Sequence, residues 1–214
     1  MKFYNLPERP LAFIFDMDST LYTNKAYAFE QVDCQVRQFA KERGISSDEA
    51  RKMVADYRQK FSEENNGKKI GLGNVLLAFG VPVEKSVEWR KTLMEPADFL
   101  TPDARLAQEL ATLAERFKLI CVTNNPVFTA RKTLDALGIS CFFPDIVGLD
   151  VCCKFKPAFE PFEAACKILE IPAKNIISVG DRYDMDIAIP LEMGMGGILV
   201  SGVEDVYQIR GNVI

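Results

Sequence analysis

Two aspartates two positions apart, Asp16 and Asp18, are the residues of this sequence best suited to chemistry. They directly follow the apolar run Ala12–Phe15, which predicts a strand. In open α/β sheets, ligands bind beyond the carboxyl ends of the strands, so both acids stand where a site is expected. An ionised Asp16 beside a cation could attack phosphorus, and Asp18 could protonate the leaving group and then activate water. The alternative interpretation is that the two acids only cap a turn.

A hydroxyl and an amide follow a second apolar run. Thr123 and Asn124 come directly after Leu119–Val122, and a helix is predicted to begin near Pro126. Free amide groups at a helix N-terminus favour an anion, and a threonine hydroxyl can donate to a phosphate oxygen. Taken alone, the segment could equally be a helix cap made by an asparagine.

A lysine precedes a third predicted helix, which is expected to run from Ala158 to Leu169. A positive charge at the start of a helix is unfavourable unless an anion is close. Lys156 is therefore a candidate for neutralising a phosphoryl group, and Lys154 is the weaker candidate.

Three acids within six residues follow the apolar run Ile176–Val179: Asp181, Asp184 and Asp186. An oxygen-rich cluster without histidine suits Mg²⁺, which takes few protein carboxylates and keeps water and substrate oxygens as ligands. A solvated run of charges is the alternative interpretation of this segment.

The absence of histidine from the whole sequence restricts the possible chemistry. It excludes Ser-His-Asp and Cys-His catalysis, a phosphohistidine intermediate and any histidine-bound zinc within this chain. Catalysis would have to use carboxylates, hydroxyls, lysines or a hard metal ion.

The four clusters, in this order along the chain, resemble the four motifs of the haloacid dehalogenase superfamily. The pattern D-x-D-x-T matches Asp16, Asp18 and Thr20, and Gly180-Asp181 matches the last motif. The resemblance implies a Mg²⁺-dependent enzyme that hydrolyses a small phosphate monoester through an aspartyl-phosphate. The catalytic roles that it implies are Asp16 as nucleophile, Asp18 as acid and base, and Lys156 as a catalytic cation. It places Thr20, Thr123 and Asn124 around the substrate. Around the metal it places Asp16, Asp181 and Asp186, together with Asp18 through a nearby main-chain carbonyl.

Several alternatives remain within this resemblance. Asp184 is a possible substitute for Asp186, and Ala158 stands where an aspartate is common. The layout is similar to phosphoglycolate phosphatases and to pyrimidine 5′-nucleotidases, and a phosphomutase of the β-phosphoglucomutase type keeps all four motifs. A dehalogenase is disfavoured because that branch generally lacks the second aspartate, and a non-catalytic binding module is disfavoured because the motifs are intact.

The elements that must position these residues form an alternating pattern. Near-continuous apolar runs suit the strands of a parallel sheet that is covered on both faces. Helices are predicted after Thr101-Pro102-Asp103, from Pro126 to Gly138 and from Ala158 to Leu169. We therefore expect an α/β fold with a doubly wound, mainly parallel, Rossmann-like core sheet. The five predicted strands are Ala12–Phe15, Leu119–Val122, Asp145–Gly148, Ile176–Val179 and Gly197–Val200.

One segment interrupts this pattern and reads as amphipathic helices only. It extends from residue 24 to residue 95, with breaks at glycines and a helix start placed at Ser47. We predict a core domain of residues 1–23 and 96–214 and an inserted α-helical cap of residues 24–95. By the resemblance, this cap would close over the site and select the substrate.

The composition is that of an ordinary globular protein, with 48% hydrophobic residues and a net charge of −4. Nothing in it suggests nucleic acid as a partner, and no apolar run is long enough to span a membrane. Without an apolar leader, a cytoplasmic location is expected, with the six cysteines reduced and buried. The expected partner is a small phosphorylated metabolite, and the oligomeric state is left open.

Overall fold

A six-stranded sheet forms the centre of the larger of two units in this computed structural model, which describes residues 1–213. The strand order is β1-β6-β5-β2-β3-β4; β1 pairs with β6 in antiparallel fashion, and the other neighbours are parallel. This confirms the predicted doubly wound, mainly parallel α/β core. The strands are β1 (Lys2–Tyr4), β2 (Ala12–Phe15), β3 (Lys118–Val122), β4 (Ile146–Val147), β5 (Ile176–Gly180) and β6 (Gly196–Leu199).

The helices of the described residues comprise four in the inserted segment and seven in the rest of the chain. In chain order they are α1 (Lys25–Arg43), α2 (Ser47–Glu64), α3 (Leu72–Ala78), α4 (Val83–Leu93), α5 (Ala104–Ala114), α6 (Val127–Ala136), α7 (Leu149–Cys152), α8 (Glu160–Leu169), α9 (Ala188–Glu192), α10 (Val203–Val206) and α11 (Arg210–Val213). Short 3₁₀ turns at Pro96–Asp98, Ser140–Phe142 and Ala173–Asn175 and a π-helical turn at Tyr183–Ile187 complete the list.

The central strands are buried on both faces, because helices cover the sheet. All residues of β2 and of β5 are buried. On one face, Phe162, Ala165 and Leu169 of α8 pack against apolar side chains of β2, β3 and β5. Burial of this kind stabilises the fold by about 25 cal/mol per Å² of apolar surface. The strand ends are thereby held in fixed positions.

Some element boundaries differ from the sequence predictions. The strand β1 was not predicted, because it has only three residues and lies at the edge of the sheet. Helix α5 begins at Ala104, directly after the predicted start segment, and is capped by Asp103, whose carboxylate accepts from the amides of Arg105 and Leu106. The helix predicted from Ala158 begins at Glu160.

The chain divides into two compact units, Met1–Lys25 with Glu95–Ile214, and Ala26–Met94. The second unit is helical and has its own apolar core, to which α1, α2, α3 and α4 all contribute. Its helix α2 begins at Ser47, as predicted, and Ser46 caps it, since the Ser46 hydroxyl accepts from the Glu49 amide. An ion-pair group joins two of its helices: Asp33 of α1 pairs with Arg37 of α1 and Arg51 of α2.

Two predictions from composition can be compared with the structure. Among the described residues, no helix combines the length and the apolar character that a membrane crossing requires. The cysteines are free, but the prediction that all are buried is wrong: Cys34 and Cys121 are buried, whereas Cys141 and Cys153 are exposed. The exposed ones lie in surface turns that the apolar pattern of the sequence did not mark.

Candidate active site

The carboxyl ends of three adjacent strands bring the predicted site residues together. Strand β2 lies between β3 and β5 in the sheet, and Asp16, Thr123 and Asp181 directly follow these three strands. The sheet ladder continues into the site, because the Asp16 amide donates to the Val179 carbonyl at 2.8 Å. Asp16 and Thr123 are buried, and Asp181 is half-buried.

The side chain of Lys156 links two of the acids. Its Nζ donates to Asp16 Oδ1 at 2.6 Å, to Asp186 Oδ1 at 2.7 Å and to the Val122 carbonyl at 2.9 Å. Burial by itself would lower the pKa of Lys156, but the charges of Asp16 and Asp186 outweigh it and hold the pKa above its ordinary value. Lys156 is therefore a fixed positive charge in contact with Asp16. Lys156 lies in a turn and not at the helix start assumed above, because α8 begins four residues later at Glu160.

The side chain of Asn124 forms hydrogen bonds with both backbone polar groups of Lys156. Its Oδ1 accepts from the Lys156 amide at 2.7 Å, and its Nδ2 donates to the Lys156 carbonyl at 3.3 Å. This residue, predicted to contact substrate, thus contacts the lysine-bearing turn. The arrangement connects the end of β3 with the segment before α8.

Three carboxylates form a compact acidic group. One oxygen from each of Asp16, Asp181 and Asp186 lies within 4.8 Å of the others. Burial and the nearby charge of Asp16 raise the pKa of Asp181 to about 6, and burial also raises the pKa of Asp186. Three acids against the single charge of Lys156 leave an excess of negative charge. Such an oxygen-only donor set fits a hard divalent cation.

The third acid of the last motif lies outside this group. The side chain of Asp184 is 62% exposed and pairs with Arg182 at 2.8 Å. Asp186, in contrast, is 3% exposed and accepts from Lys156 and from the Arg182 amide. Gly180 permits this approach, since a Cβ atom there would lie 2.3 Å from the Asp186 Cβ. The geometry thus favours Asp186 over Asp184 as the second acid.

A tight turn after β2 shapes the first motif. The amide of Leu21 donates to the Met17 carbonyl at 2.9 Å, and Ser19 has a positive φ of 62°. The turn brings Thr20 back towards Asp16, so that the Thr20 hydroxyl donates to Asp16 Oδ2 at 3.2 Å. With Lys156 on Oδ1, both oxygens of Asp16 are oriented by donors of the protein.

The carboxylate of Asp18 contacts two residues that the sequence analysis did not assign to the site. The Tyr22 hydroxyl donates to Oδ1 at 2.5 Å, and Asn125 Nδ2 donates to Oδ2 at 2.7 Å. The sequence could have pointed to Tyr22 and Asn125 only through their position, because they lie close to the predicted site residues Thr20 and Asn124. The carboxylate of Asp18 itself does not belong to the group formed by Asp16, Asp181 and Asp186.

Thr123 lies at the start of the turn that follows β3. Its hydroxyl accepts from the Asn125 amide at 3.1 Å, and its own amide donates to the Val147 carbonyl at 3.0 Å. These contacts fix the hydroxyl within a buried turn and leave its proton for a further acceptor.

Most of the chain matches one protein family. Residues 10–194 match the sequence model of the haloacid dehalogenase-like hydrolases. A phosphoglycolate phosphatase of Cupriavidus necator, plasmid-encoded, is 33% identical over 84 residues, which is 39% of this chain and only 36% of that protein.

Two solved structures share the fold over most of both chains. One is a HAD phosphatase of Thermococcus onnurineus, with a TM-score of 0.63 and 18% identity over 95% of this chain and 97% of that chain. The other, from Bacillus subtilis, is described as the HAD-hydrolase YfnB bound to magnesium, with a TM-score of 0.61 and 20% identity over 95% and 100%.

Proposed function

The chain belongs to the haloacid dehalogenase-like hydrolases, and from this membership we propose that it is a Mg²⁺-dependent phosphatase of small phosphate monoesters. The observation that carries the proposal is the arrangement around Asp16. Its carboxylate accepts from Lys156 and Thr20 within a group that also contains Asp181 and Asp186. A nucleophile, a fixed cation and further acids thus occupy one end of the sheet.

Asp16 is the proposed nucleophile. Hydrogen bonds from Lys156 and Thr20 orient its two oxygens, and the Lys156 ammonium lies against one of them. One carboxylate oxygen would attack phosphorus in line with the departing alcohol, so that an O–P bond to Asp16 forms as the ester O–P bond breaks. Water then attacks the aspartyl-phosphate and releases inorganic phosphate.

Asp18 is the proposed proton donor and acceptor. It would give a proton to the departing alkoxide in the first step and take a proton from water in the second. The two steps restore its starting protonation state, so no other acid or base is required.

Lys156 and Thr123 would stabilise the transferring phosphoryl group. Preorganised charges and donors near developing negative charge usually supply the largest part of such catalysis. Since all three ammonium hydrogens of Lys156 go to protein acceptors, Lys156 would act through its charge, and Thr123 would act through its hydroxyl. The Lys156 ammonium is held by three acceptors, and Asn124 fixes its backbone, so little reorganisation is needed during the reaction. Asn124 therefore supports the substrate through Lys156.

The acidic group is the proposed Mg²⁺ site, with Asp16 and Asp181 as ligands and Asp186 beside them. The fit rests on the chemistry of the donors: they are carboxylates, they lie within 4.8 Å, and the sequence contains no histidine. Bound there, Mg²⁺ would act as a Lewis acid on a phosphoryl oxygen. Asp186 has both oxygens engaged by protein donors, which suits a supporting position.

A substrate screen tests this proposal. Purified protein is assayed for release of free phosphate from phosphoglycolate, nucleoside monophosphates and sugar phosphates, with Mg²⁺ and with EDTA. We expect Mg²⁺-dependent release from at least one class, and loss of at least about 10³-fold in Asp16→Asn. Phosphoglycolate has priority because a curated relative bears that name.

Three results would contradict the proposal or part of it. Isomerisation of a sugar phosphate without release of phosphate would identify a phosphomutase, and release of halide from a 2-haloacid would identify a dehalogenase. Activity that persists in Asp16→Asn would remove Asp16 from the role of nucleophile.

A further inference from the structure

Each oxygen of the Asp18 carboxylate accepts a hydrogen bond from a side chain of the protein. The Tyr22 hydroxyl donates to Oδ1 at 2.5 Å, and the Asn125 side-chain amide donates to Oδ2 at 2.7 Å. A carboxylate rotates easily about its last side-chain bond, so a single donor leaves its plane poorly defined. Donors on both oxygens define the plane.

Both donors are themselves rigidly placed. Tyr22 and Asn125 are each 4% exposed. Asn125 follows β3, its amide donates to Thr123 Oγ1 at 3.1 Å, and its carbonyl accepts from the Leu149 amide at 3.0 Å. Tyr22 closes the turn after β2, where its backbone forms a bridge with that of Asp18. The two donors thus approach Asp18 from the ends of two neighbouring strands.

A purely structural role is the competing explanation, since buried polar groups generally need partners. It would require only that Asp18 satisfies Tyr22 and Asn125. Yet Asp18 is half-buried at the strand ends, two residues after Asp16, and it is the residue to which proton transfer is assigned above. A proton-transfer group must be held close to its productive geometry, within roughly 0.5 Å.

We propose that Tyr22 and Asn125 are positioning residues, which fix the Asp18 carboxylate for proton transfer to the leaving group. The inference rests on the proposed phosphatase function and adds two residues to it. Neither side chain needs to contact the substrate. Their removal should therefore affect the steps that need proton transfer and leave substrate and metal binding nearly unchanged.

The dependence of the rate on the leaving group distinguishes this role from a structural one. Protonation matters most for a strongly basic leaving group and little for 4-nitrophenolate. The single-turnover rate of phosphoryl transfer is measured for a series of aryl phosphates of increasing phenol basicity and for one alkyl phosphate. Tyr22→Phe, Asn125→Ala and Asp18→Asn are compared with wild type.

In Tyr22→Phe and Asn125→Ala we expect the single-turnover rate of phosphoryl transfer to fall about 10- to 100-fold with the alkyl phosphate. With 4-nitrophenyl phosphate the rate should fall less than about threefold. Their plots of rate against leaving-group basicity should be steeper than that of wild type, with Asp18→Asn steepest. KM for the alkyl phosphate should change less than about threefold.

Tyr207→Phe is the matched control, because Tyr207 also donates to an aspartate, Asp103 Oδ2, at 2.5 Å, in a part of the same unit without site residues. It should retain the wild-type slope. Equal losses across the series, or an unchanged slope in both Tyr22→Phe and Asn125→Ala, would overturn the inference while leaving the proposed phosphatase intact. If the wild-type protein itself transfers no phosphoryl group, the proposed function fails and this inference fails with it.

Discussion

Lys156 carries a positive charge that is almost completely buried. It is 3% exposed, and its ammonium group is surrounded by two carboxylates and a carbonyl. A buried charge is tolerated only when it is paired and hydrogen-bonded. The same contacts that make Lys156 stable place it against the proposed nucleophile, so structure and catalysis depend on one side chain.

Replacing this lysine should affect both stability and activity. In Lys156→Met we expect a loss of about 3–5 kcal/mol in the free energy of unfolding, because Asp16 and Asp186 remain buried without their partner. Phosphatase activity should fall at least about 10²-fold. Urea denaturation in EDTA and phosphate release measure the two effects.

The exposed Lys154 provides the control for this variant, since it lies only two residues away. Lys154→Met should stay within about 0.5 kcal/mol of wild type and keep its activity. Equal losses of stability and activity in the two variants would contradict the proposal that Lys156 is the catalytic cation.

Asp186 and Asp184 offer a second test at the level of single residues. Asp186 belongs to the acidic group, whereas Asp184 is exposed and pairs with Arg182. We expect Asp186→Asn to raise the Mg²⁺ concentration for half-maximal activity about 10- to 100-fold. Asp184→Asn should change it less than about twofold. The reverse order would assign the second acid to Asp184.

At the scale of elements, a shared ion-pair group joins α1 and α2 of the helical unit. Asp33 accepts from Arg51 Nε at 2.7 Å and from Arg37. The hydrogen bond from Arg51 lowers the pKa of Asp33; burial opposes the change, and Arg37 reinforces it. Helix pairing here thus depends on a buried acid as well as on the apolar core of the unit.

This carboxylate should stabilise the protein in a pH-dependent way. Because its pKa in the folded state lies below the ordinary value of 3.8, its contribution is complete above about pH 5 and disappears as the pH falls through the folded-state pKa. In Asp33→Asn we expect the free energy of unfolding to fall by about 1–2 kcal/mol at pH 7 and by less at pH 3.5. The exposure of the two arginines moderates the effect. Chemical denaturation at both values tests this.

Asp56→Asn is the comparison, because Asp56 is 60% exposed and pairs only within its own helix, with Lys52 at 2.6 Å. A change of less than about 0.5 kcal/mol is expected at either pH. A deficit in Asp33→Asn that stays constant down to pH 3.5 would argue against the ion-pair explanation.

At the scale of the whole molecule, Mg²⁺ binding to the acidic group, as proposed, would be coupled to the stability of the fold. In the metal-free protein, burial and the charge of Asp16 raise the pKa of Asp181 to about 6. An unfolded aspartate has a pKa near 3.8, so the folded metal-free protein takes up the proton first and gains stability as the pH falls towards 5. Protons and Mg²⁺ would therefore compete for the same carboxylates.

Thermal unfolding should report this competition. At pH 7.5, Mg²⁺ at about 100 times its dissociation constant should add about 2.7 kcal/mol, or about 5–10 °C in Tm. At pH 5.5 the gain should be smaller, because proton release accompanies metal binding. The Tm is measured at pH 7.5 and at pH 5.5 in calcium-free buffer that contains either EDTA or Mg²⁺. If Mg²⁺ raised the Tm equally at the two pH values, or did not raise it, the result would contradict the proposed Mg²⁺ site.

The sequence by itself determined the features that depend on local pattern. The central strands are near-continuous apolar runs, and a parallel sheet puts the carboxyl ends of such runs on one edge. The acids that follow Ala12–Phe15 and Ile176–Val179 were therefore expected to meet. The absence of histidine left carboxylates and lysine as the possible catalytic groups. These inferences need no knowledge of which side chain touches which.

Only the tertiary structure decided the contacts between distant segments. Asn125 reaches Asp18 across 107 positions, and Lys156 reaches Asp16 across 140, distances in sequence over which no periodicity carries information. Asp184 and Asp186 are alike in sequence, and the choice between them depends on a turn that directs one carboxylate inwards, past Gly180, and the other to solvent. Side-chain direction after a strand is set by packing against the whole sheet, which is why it emerged only from the folded chain.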